Sequence, residues 1–250
     1  MTSSGALVTI DSVTKTFPPQ DGTGRFKALD GVSFTLEAGS CTLIGGANGS
    51  GKSVLMGIIA GLDDADSGAV SVTFGGKKAR TGLVFQEAET QILGETPLED
   101  VMFGLKNCGY NRADAEKKAR EVLAQSGLAG KELASARFLS GGEKRRLAVA
   151  GILALDMPLV IFDEPYANLD YAGVMQVNAL IRMLKETGRT VIILTHELEK
   201  SLALCGRFIV LYRGRKVFDG TPEEGLLQPL ESWDIRNPLT AYTKAEDLVW

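Results

Sequence analysis

Residues 46–53 read GANGSGKS and fit the pattern G-x-x-x-x-G-K-[ST], whose backbone wraps the phosphates of a nucleotide. Its setting matches that use. CTLI at residues 41–44 reads as a short buried strand before it, and VLMGIIA at residues 54–60 as an apolar helix after it. Gly46, Gly49 and Gly51 let the chain turn with positive φ and bring successive N–H groups onto one anion. The helix N-terminus adds its own partial positive charge. Lys52 then supplies a point charge for the β- and γ-phosphates, and the Ser53 hydroxyl is placed to ligate Mg2+.

Strands able to build an α/β core around this unit lie further along. LVIF (residues 159–162), VIIL (191–194) and FIVL (208–211) are short apolar runs, and a helix-length segment over residues 171–186 separates the first two. Such spacing is that of βαβ units in a sheet buried on both faces. Ahead of the loop, residues 7–10 and the set Val32, Phe34, Leu36 alternate with polar neighbours, as in a half-buried antiparallel sheet. PPQDGTG (18–24) between them is a loop by its turn residues. Val70, Val72 and Phe74 alternate again, and Leu83-Val84-Phe85 makes a further strand.

From residue 97 to about 155 helical patterns dominate and no strand run is evident, which implies a helical subdomain inserted into the core. Its clearest helix lies within residues 111–127. Asn111 serves as N-cap, Gly127 follows the C-terminus, and Asp114/Lys118 and Glu116/Arg120 form i,i+4 pairs. Residues 226–250 have no clean periodicity, and their role is open.

A length of 250 residues with 44% hydrophobic and 23% charged content suits one large α/β domain or a core with a subdomain. The net charge of −4 argues against a general nucleic-acid coat or a polybasic membrane anchor. The basic clusters Lys144-Arg145-Arg146 and Arg213/Arg215/Lys216 read as solvated faces, and no nucleic-acid partner is expected. Cys41, Cys108 and Cys205 are far apart, odd in number and without metal spacing, hence free thiols of a reducing compartment. No apolar run approaches the ~18 residues of a spanning helix. The reading is a soluble, cytoplasmic chain; membrane work would need other subunits to span.

Chemistry gathers at strand ends. Asp163 and Glu164 follow the run at 159–162, where strands of such sheets face the ligand crevice. Asp163 suits the carboxylate that holds Mg2+ through water, and Glu164 is placed to polarise an attacking water. His196, the single histidine, ends the next strand, where an imidazole can donate to the γ-phosphate. A second glycine device, LSGGE at residues 139–143, opens the helical run at 144–155. Ser140 can cap it while Gly141 and Gly142 expose N–H groups. The same residues suit an ordinary capped helix start, and whether the two devices share one phosphate is open on this ground alone.

Together, GANGSGKS, Gln86, LSGGE, LVIFDEP (159–165), Asn168-Leu169-Asp170 and Thr195-His196 resemble the ordered motif set of ATP-binding cassette (ABC) ATPases. The resemblance runs from about residue 7 to 225. It implies a P-loop NTPase (RecA-like) core with an antiparallel β-subdomain and an inserted α-helical signature subdomain. The single domain would cover residues 1–225, with β-subdomain and core at about 1–86 and 156–225, the helical subdomain at about 87–155, and 226–250 as an extension.

It also implies roles by position. Gly46, Ala47, Asn48, Gly49, Ser50, Gly51, Lys52, Ser53 and Val54 would bind ATP, with Phe17 stacking on adenine. Ser53, Gln86 and Asp163 would hold Mg2+; Glu164 would be the catalytic carboxylate, His196 the switch histidine, and Gln86 and Lys52 would share in catalysis. Ser140, Gly141, Gly142 and Glu143 would form the signature that acts on a partner chain's ATP, and Asp170 would lie in the loop that crosses the dimer. Departures from the family pattern are Ala47 for proline, Val54 for threonine, Glu143 for glutamine and Phe17 for tyrosine. None removes a backbone donor or a charged catalytic group, so an active site is expected.

Within the family, VFQEAETQILGETPLEDVMFG (84–104) resembles the energy-coupling factor ATPases of vitamin and metal importers, with Gln91 and PLEDV (97–101) the informative positions; LSGGEKRRLA and VFDGTPEE point the same way. That resemblance implies a homo- or heterodimer of cassettes, with a transmembrane subunit contacted through about residues 87–110, where Ile92, Leu93, Val101, Met102 and Phe103 offer apolar contact. The alternative is a soluble ABC ATPase acting on a non-transport complex, but the long coiled-coil insertion or second cassette of such members is absent. An unrelated kinase or GTPase would leave LSGGE and His196 unexplained.

Overall fold

The computed structural model describes residues 6–18, 24–240 and 244. Two long antiparallel strands open the chain, β1 (Ala6–Phe17) and β2 (Phe26–Glu37), in register from Ala6↔Glu37 to Phe17↔Phe26. Of the PPQDGTG loop, residues 19–23 lie outside the described residues. Next come β3 (Cys41–Gly45), α1 (Lys52–Ala60), β4 (Ser67–Phe74), the short β5 (Lys77–Lys78) and β6 (Thr81–Val84). Three helices follow with no strand between them: α2 (Pro97–Asn107), α3 (Arg112–Gln125) and α4 (Gly141–Ala154). Then come β7 (Leu159–Asp163), α5 (Tyr171–Glu186), β8 (Thr190–Thr195), β9 (Arg207–Tyr212), β10 (Arg215–Gly220) and α6 (Pro222–Leu226).

The smaller sheet runs β2-β1-β4-β5 and is antiparallel throughout. The larger runs β10-β9-β3-β8-β7-β6, parallel except for the β9–β10 hairpin at its edge. Its strands are continuously apolar because both faces are covered. Leu43, Val160, Phe162, Ile193 and Val210 point into a core shared with α2–α5. Ile44, Ile161, Ile192, Leu194 and Leu211 point into a second core shared with α1 and the small sheet. Among the described residues no helix is long and apolar enough to cross a membrane.

Several local expectations meet the structure directly. Asn111 caps α3, accepting from the Asp114 N–H at 3.0 Å, and Gly127 takes φ 71° just past its end. The Glu116–Arg120 pair forms at 2.8 Å, but the Asp114–Lys118 pair does not. Asp114 accepts from the Asn111 side chain instead, and Lys118 reaches across to Asp156 at 2.6 Å. The strand expected over residues 83–85 ends at Val84, because a side chain takes over its edge. Gln91 accepts from the Phe85 N–H at 3.0 Å and donates to the Leu83 carbonyl at 2.7 Å. Cys41 and Cys205, distant in sequence, meet in the core with sulfurs 3.5 Å apart, and all three cysteines are free thiols. Beyond α6, Leu230 and Ile235 are buried and Trp233 packs against the larger core, so the described part of the C-terminal extension is built into the body.

Candidate active site

Four parallel neighbours, β3, β8, β7 and β6, end on one edge of the large sheet, and each delivers a sequence-predicted residue there. Residues 46–53 leave β3 under close constraint. A Cβ on Gly46 would lie 2.4 Å from Ser50 Oγ and 2.5 Å from the Leu211 carbonyl oxygen, so only glycine fits. Gly51 combines φ 104° with a similar approach to the Ala28 carbonyl oxygen at 2.5 Å. The loop is braced from behind: the Gly214 N–H donates to the Ser50 carbonyl at 3.1 Å, and the Gly214 carbonyl accepts from Asp30 at 2.9 Å.

Lys52, buried at the start of α1, donates to the carbonyls of Gly46 at 2.6 Å and Ala47 at 3.2 Å. Its ammonium lies 3.3 Å from Glu164 Oε1, and the same oxygen is 3.1 Å from His196 Nδ1. Lys52, Glu164 and His196, from α1 and the ends of β7 and β8, therefore converge on one point. Glu164 sits at φ 43°, a left-handed conformation rare for a side-chain-bearing residue, and its N–H donates to the Leu194 carbonyl at 2.9 Å. Two residues on, Tyr166 is fully buried and donates to Asn178 Oδ1 at 2.7 Å, anchoring the following loop to α5.

Asp163 is the site's electrostatic oddity. Burial, and then the neighbouring Glu164 carboxylate, push its pKa up, with the Ser53 hydroxyl and the Lys52 charge opposing. Its Oδ1 is buried without a hydrogen-bond partner. A carboxylate oxygen left bare beside a serine hydroxyl and an exposed glutamine, Gln86, is a hard-oxygen donor set suited to Mg2+. Among the described residues no group of three His, Cys, Asp or Glu could cage a metal alone. Mg2+ in nucleotide sites relies on one or two protein oxygens plus phosphate, so the residues fit.

A cavity of 310 Å³ opens above the glycine loop, lined by Asn48, Gly49, Val54 and Gln86 with both acids and, unexpectedly, Phe26. Phe17 does not line it. It stands opposite Phe26 in register, with the Lys15 ammonium 5.5 Å from its ring centre. Phe26 is 56% exposed, and its cross-strand pairing with an aromatic already singled out was the signal that could have found it.

Residues 140–143 do not line this cavity. Ser140 caps α4 through a reciprocal box: Ser140 Oγ accepts from the Glu143 N–H at 3.3 Å, and Glu143 accepts from the Ser140 N–H at 2.8 Å. The Lys131 ammonium and this N–H hold the Glu143 pKa at about 2. Gly141 is exposed, while a Cβ on Gly142 would meet Gln176 Oε1 at 2.5 Å. Asp170 caps α5, accepting from the Gly173 N–H at 2.8 Å.

The cluster Lys144-Arg145-Arg146 is not a solvated face. Arg145 is 6% exposed, and its guanidinium donates to main-chain carbonyls of Gln86 and Ala167. In sequence it stands four residues before the buried Val149 and eight before Leu153, on the apolar stripe of α4, and that periodicity was the available signal.

Phosphate binding at the end of one strand and a carboxylate poised at the end of another define a phosphate-loop nucleoside triphosphatase. The helical insertion between β6 and β7, whose last helix opens on a capped glycine pair, narrows this further. A family model described as "ABC transporter" matches residues 29–167, and the chain belongs to that family as an ATP-hydrolysing cassette. It is 39% identical over 219 residues to the energy-coupling factor transporter ATP-binding protein EcfA2 of Streptococcus pneumoniae serotype 2, covering 82% of this chain and 78% of that protein. The EcfA2 of Thermotoga maritima is 37% identical, covering 84% and 80%. Among solved structures, cbiO1 from Clostridium perfringens, part of the ABC transporter complex cbiONQ, superposes with a TM-score of 0.78 at 29% identity, covering 89% and 91%. A dimeric ATP-binding cassette in a post-hydrolysis state with ADP and Pi gives 0.74 at 28% identity, covering 86% and 98%.

Proposed function

We propose that this chain is the ATP-hydrolysing subunit of a membrane importer of energy-coupling factor type, working as one of a pair of cassettes. The observation that carries the reading is the Glu164 carboxylate held between Lys52 at 3.3 Å and His196 at 3.1 Å, beside a built glycine loop. Residues 46–54 bind the triphosphate. Its oxygens compete for the Lys52 ammonium with the carbonyls of Gly46 and Ala47 and with Glu164, which frees that carboxylate to take a proton from water. His196 orients the transferred phosphoryl group. Ser53, Asp163 and Gln86 would hold Mg2+, which would supply charge neutralisation to the phosphates. The exposed Phe26 and Phe17 form the apolar platform for adenine.

The exposed Ser140 and Gly141 at the positive end of α4 suit the γ-phosphate of a nucleotide on a second cassette, with Asp170 at the crossing. A 620 Å³ groove is offered to the transmembrane partner, lined by Leu93, Met102, Phe103 and Leu133 and rimmed by Glu99, Arg112 and Arg120. Of the apolar residues expected to serve it, Val101 is wholly buried, and Ile92 packs against the core without lining it. Leu93, 72% exposed, and Phe103, 51% exposed, are the contact residues.

Glu164→Gln tests the reading. ATP binding stays intact, ATP drives a stable dimer in size-exclusion with light scattering, and turnover falls by roughly 10²–10⁴-fold. A variant hydrolysing at the wild-type rate removes Glu164 from this role. Co-purification with a membrane subunit separates transport from action on a soluble complex.

A further inference from the structure

Three consecutive basic residues, 144–146, lie just past the glycine pair, and between them they tie α4 to the segment after β6, to the turn at Ala167 and to α5. Lys144 Nζ lies 2.7 Å from Glu89, in the segment after Gln86. Arg145 donates to the Gln86 carbonyl at 3.2 Å and to the Ala167 carbonyl at 3.5 Å. Arg146 donates to Gln176 Oε1 on α5 at 2.8 Å.

The middle residue is the anomaly. Its guanidinium is buried, its Nε has no hydrogen-bond partner, and no carboxylate among the described residues lies within 4.0 Å of it. Burial alone accounts for its lowered pKa, with no charge nearby to offset it. As a packing element this is a poor choice, since an apolar side chain of similar volume avoids the desolvation. What a guanidinium adds is a rigid plane that fixes the direction of its N–H groups, and here Nη2 alone reaches carbonyls of two separate loops. Those carbonyls belong to Gln86, two residues past β6, and to a turn whose Ala167 N–H donates back to the Glu164 carbonyl at 3.2 Å. A cavity of 190 Å³ lined by Gln86, Gly141, Arg145, Ala167 and Asn168 lies at the junction, giving the loops room to move if the guanidinium is removed.

We propose that Arg145 is a positioning residue for hydrolysis, locking the Gln86 loop and the loop after Glu164 to the helix that carries residues 140–143. Lys144 and Arg146 are its flanking ties. The inference rests on the ATPase reading above.

The test compares Arg145→Met and Arg145→Lys with wild type as the full chain, by steady-state ATP hydrolysis and by hydrogen–deuterium exchange. Arg145→Met lowers kcat by about tenfold or more, because displaced catalytic loops lose near-attack geometry. KM for ATP moves less than about twofold, as Arg145 lies outside the cavity over the glycine loop. Exchange rises in residues 86–91 and 165–170 and stays as in wild type in β7 and β8. Arg145→Lys keeps a donor on a shorter, freely rotating stem without the fixed guanidinium plane, and restores part of kcat. Unchanged kcat overturns the proposal, and so does exchange that rises throughout α2–α4, which would mark a merely structural role. Should Arg145→Met fail to fold, Arg145→Lys decides alone: wild-type kcat and exchange overturn the lock, and a lowered kcat with exchange raised only in the two loops sustains it. Glu164→Gln keeps the two readings apart. If it hydrolyses like wild type, the ATPase reading fails; if it is inactive while Arg145→Met is not, only the lock fails.

Discussion

Glu164 joins a reactive carboxylate to an unfavourable backbone, and two substitutions separate them. Its φ of 43° lies in the left-handed region, which costs a side-chain-bearing residue about 1–2 kcal/mol. Glu164→Ala and Glu164→Gly both delete the carboxylate and its contacts with Lys52 and His196. Only the glycine is free of the left-handed penalty. Against this, glycine loses about 0.5–1 kcal/mol more backbone freedom on folding. The glycine variant is therefore the more stable by up to about 1.5 kcal/mol, or up to roughly 6 °C in Tm for a chain of this size. Thermal unfolding followed by circular dichroism, without nucleotide, reads this difference, and both variants lack hydrolysis. The sign is diagnostic, because inside a helix or strand alanine is the more stable of the two. An alanine variant more stable than the glycine variant refutes the strain, and retained hydrolysis in either refutes the role of the carboxylate.

Gly46→Ala places a Cβ 2.5 Å from the Leu211 carbonyl oxygen, a main-chain atom that cannot swing away, so ATP affinity measured by nucleotide fluorescence titration falls by roughly tenfold or more. Normal affinity would show slack in the cradle. Phe103→Asp, at an exposed position, shifts stability by less than about 0.5 kcal/mol but abolishes co-purification with the membrane partner; unimpaired capture would place the docking surface elsewhere. Glu143 is held near 2 against an ordinary 4.5, so its charge contributes stability that is fully present above 4.5 and is lost as pH falls toward 2. The stability gap between wild type and Glu143→Gln in urea titrations accordingly shrinks across that window, and a gap constant with pH would rule out the Lys131 contact.

What could be read from the sequence divides along a physical line. The glycine loop, the α5 segment at 171–186 and the Ser140/Glu143 box depend on local spacing, and β7, β8 and β9 depend on runs of apolar residues that any two-faced sheet demands. Partner choice does not follow from local pattern. Lys118 bypasses Asp114 for Asp156, a residue 38 positions away. Phe26 reaches the nucleotide cavity only because β1 and β2 pair in the observed register. The strain at Glu164 and the burial of Arg145 arise from tertiary packing, and composition, which tallies them as ordinary charged residues, carries no trace of either.

The brace behind the glycine loop has a consequence for how the protein is made. The strand feeding that loop has no neighbour near it in the chain: Cys41 pairs with Val191, and Gly45 with Thr195 and Val210. The loop's own carbonyl at Ser50 waits for the Gly214 N–H. During synthesis the eight motif residues leave the ribosome roughly 150 residues ahead of β9 and stay without their scaffold until it follows, so loop closure over a long separation precedes any nucleotide site. A nascent chain or fragment ending before β9 displays the whole motif and holds no cradle. Nucleotide cannot template the early folding of this cassette; it can only report that the carboxy-terminal hairpin has arrived.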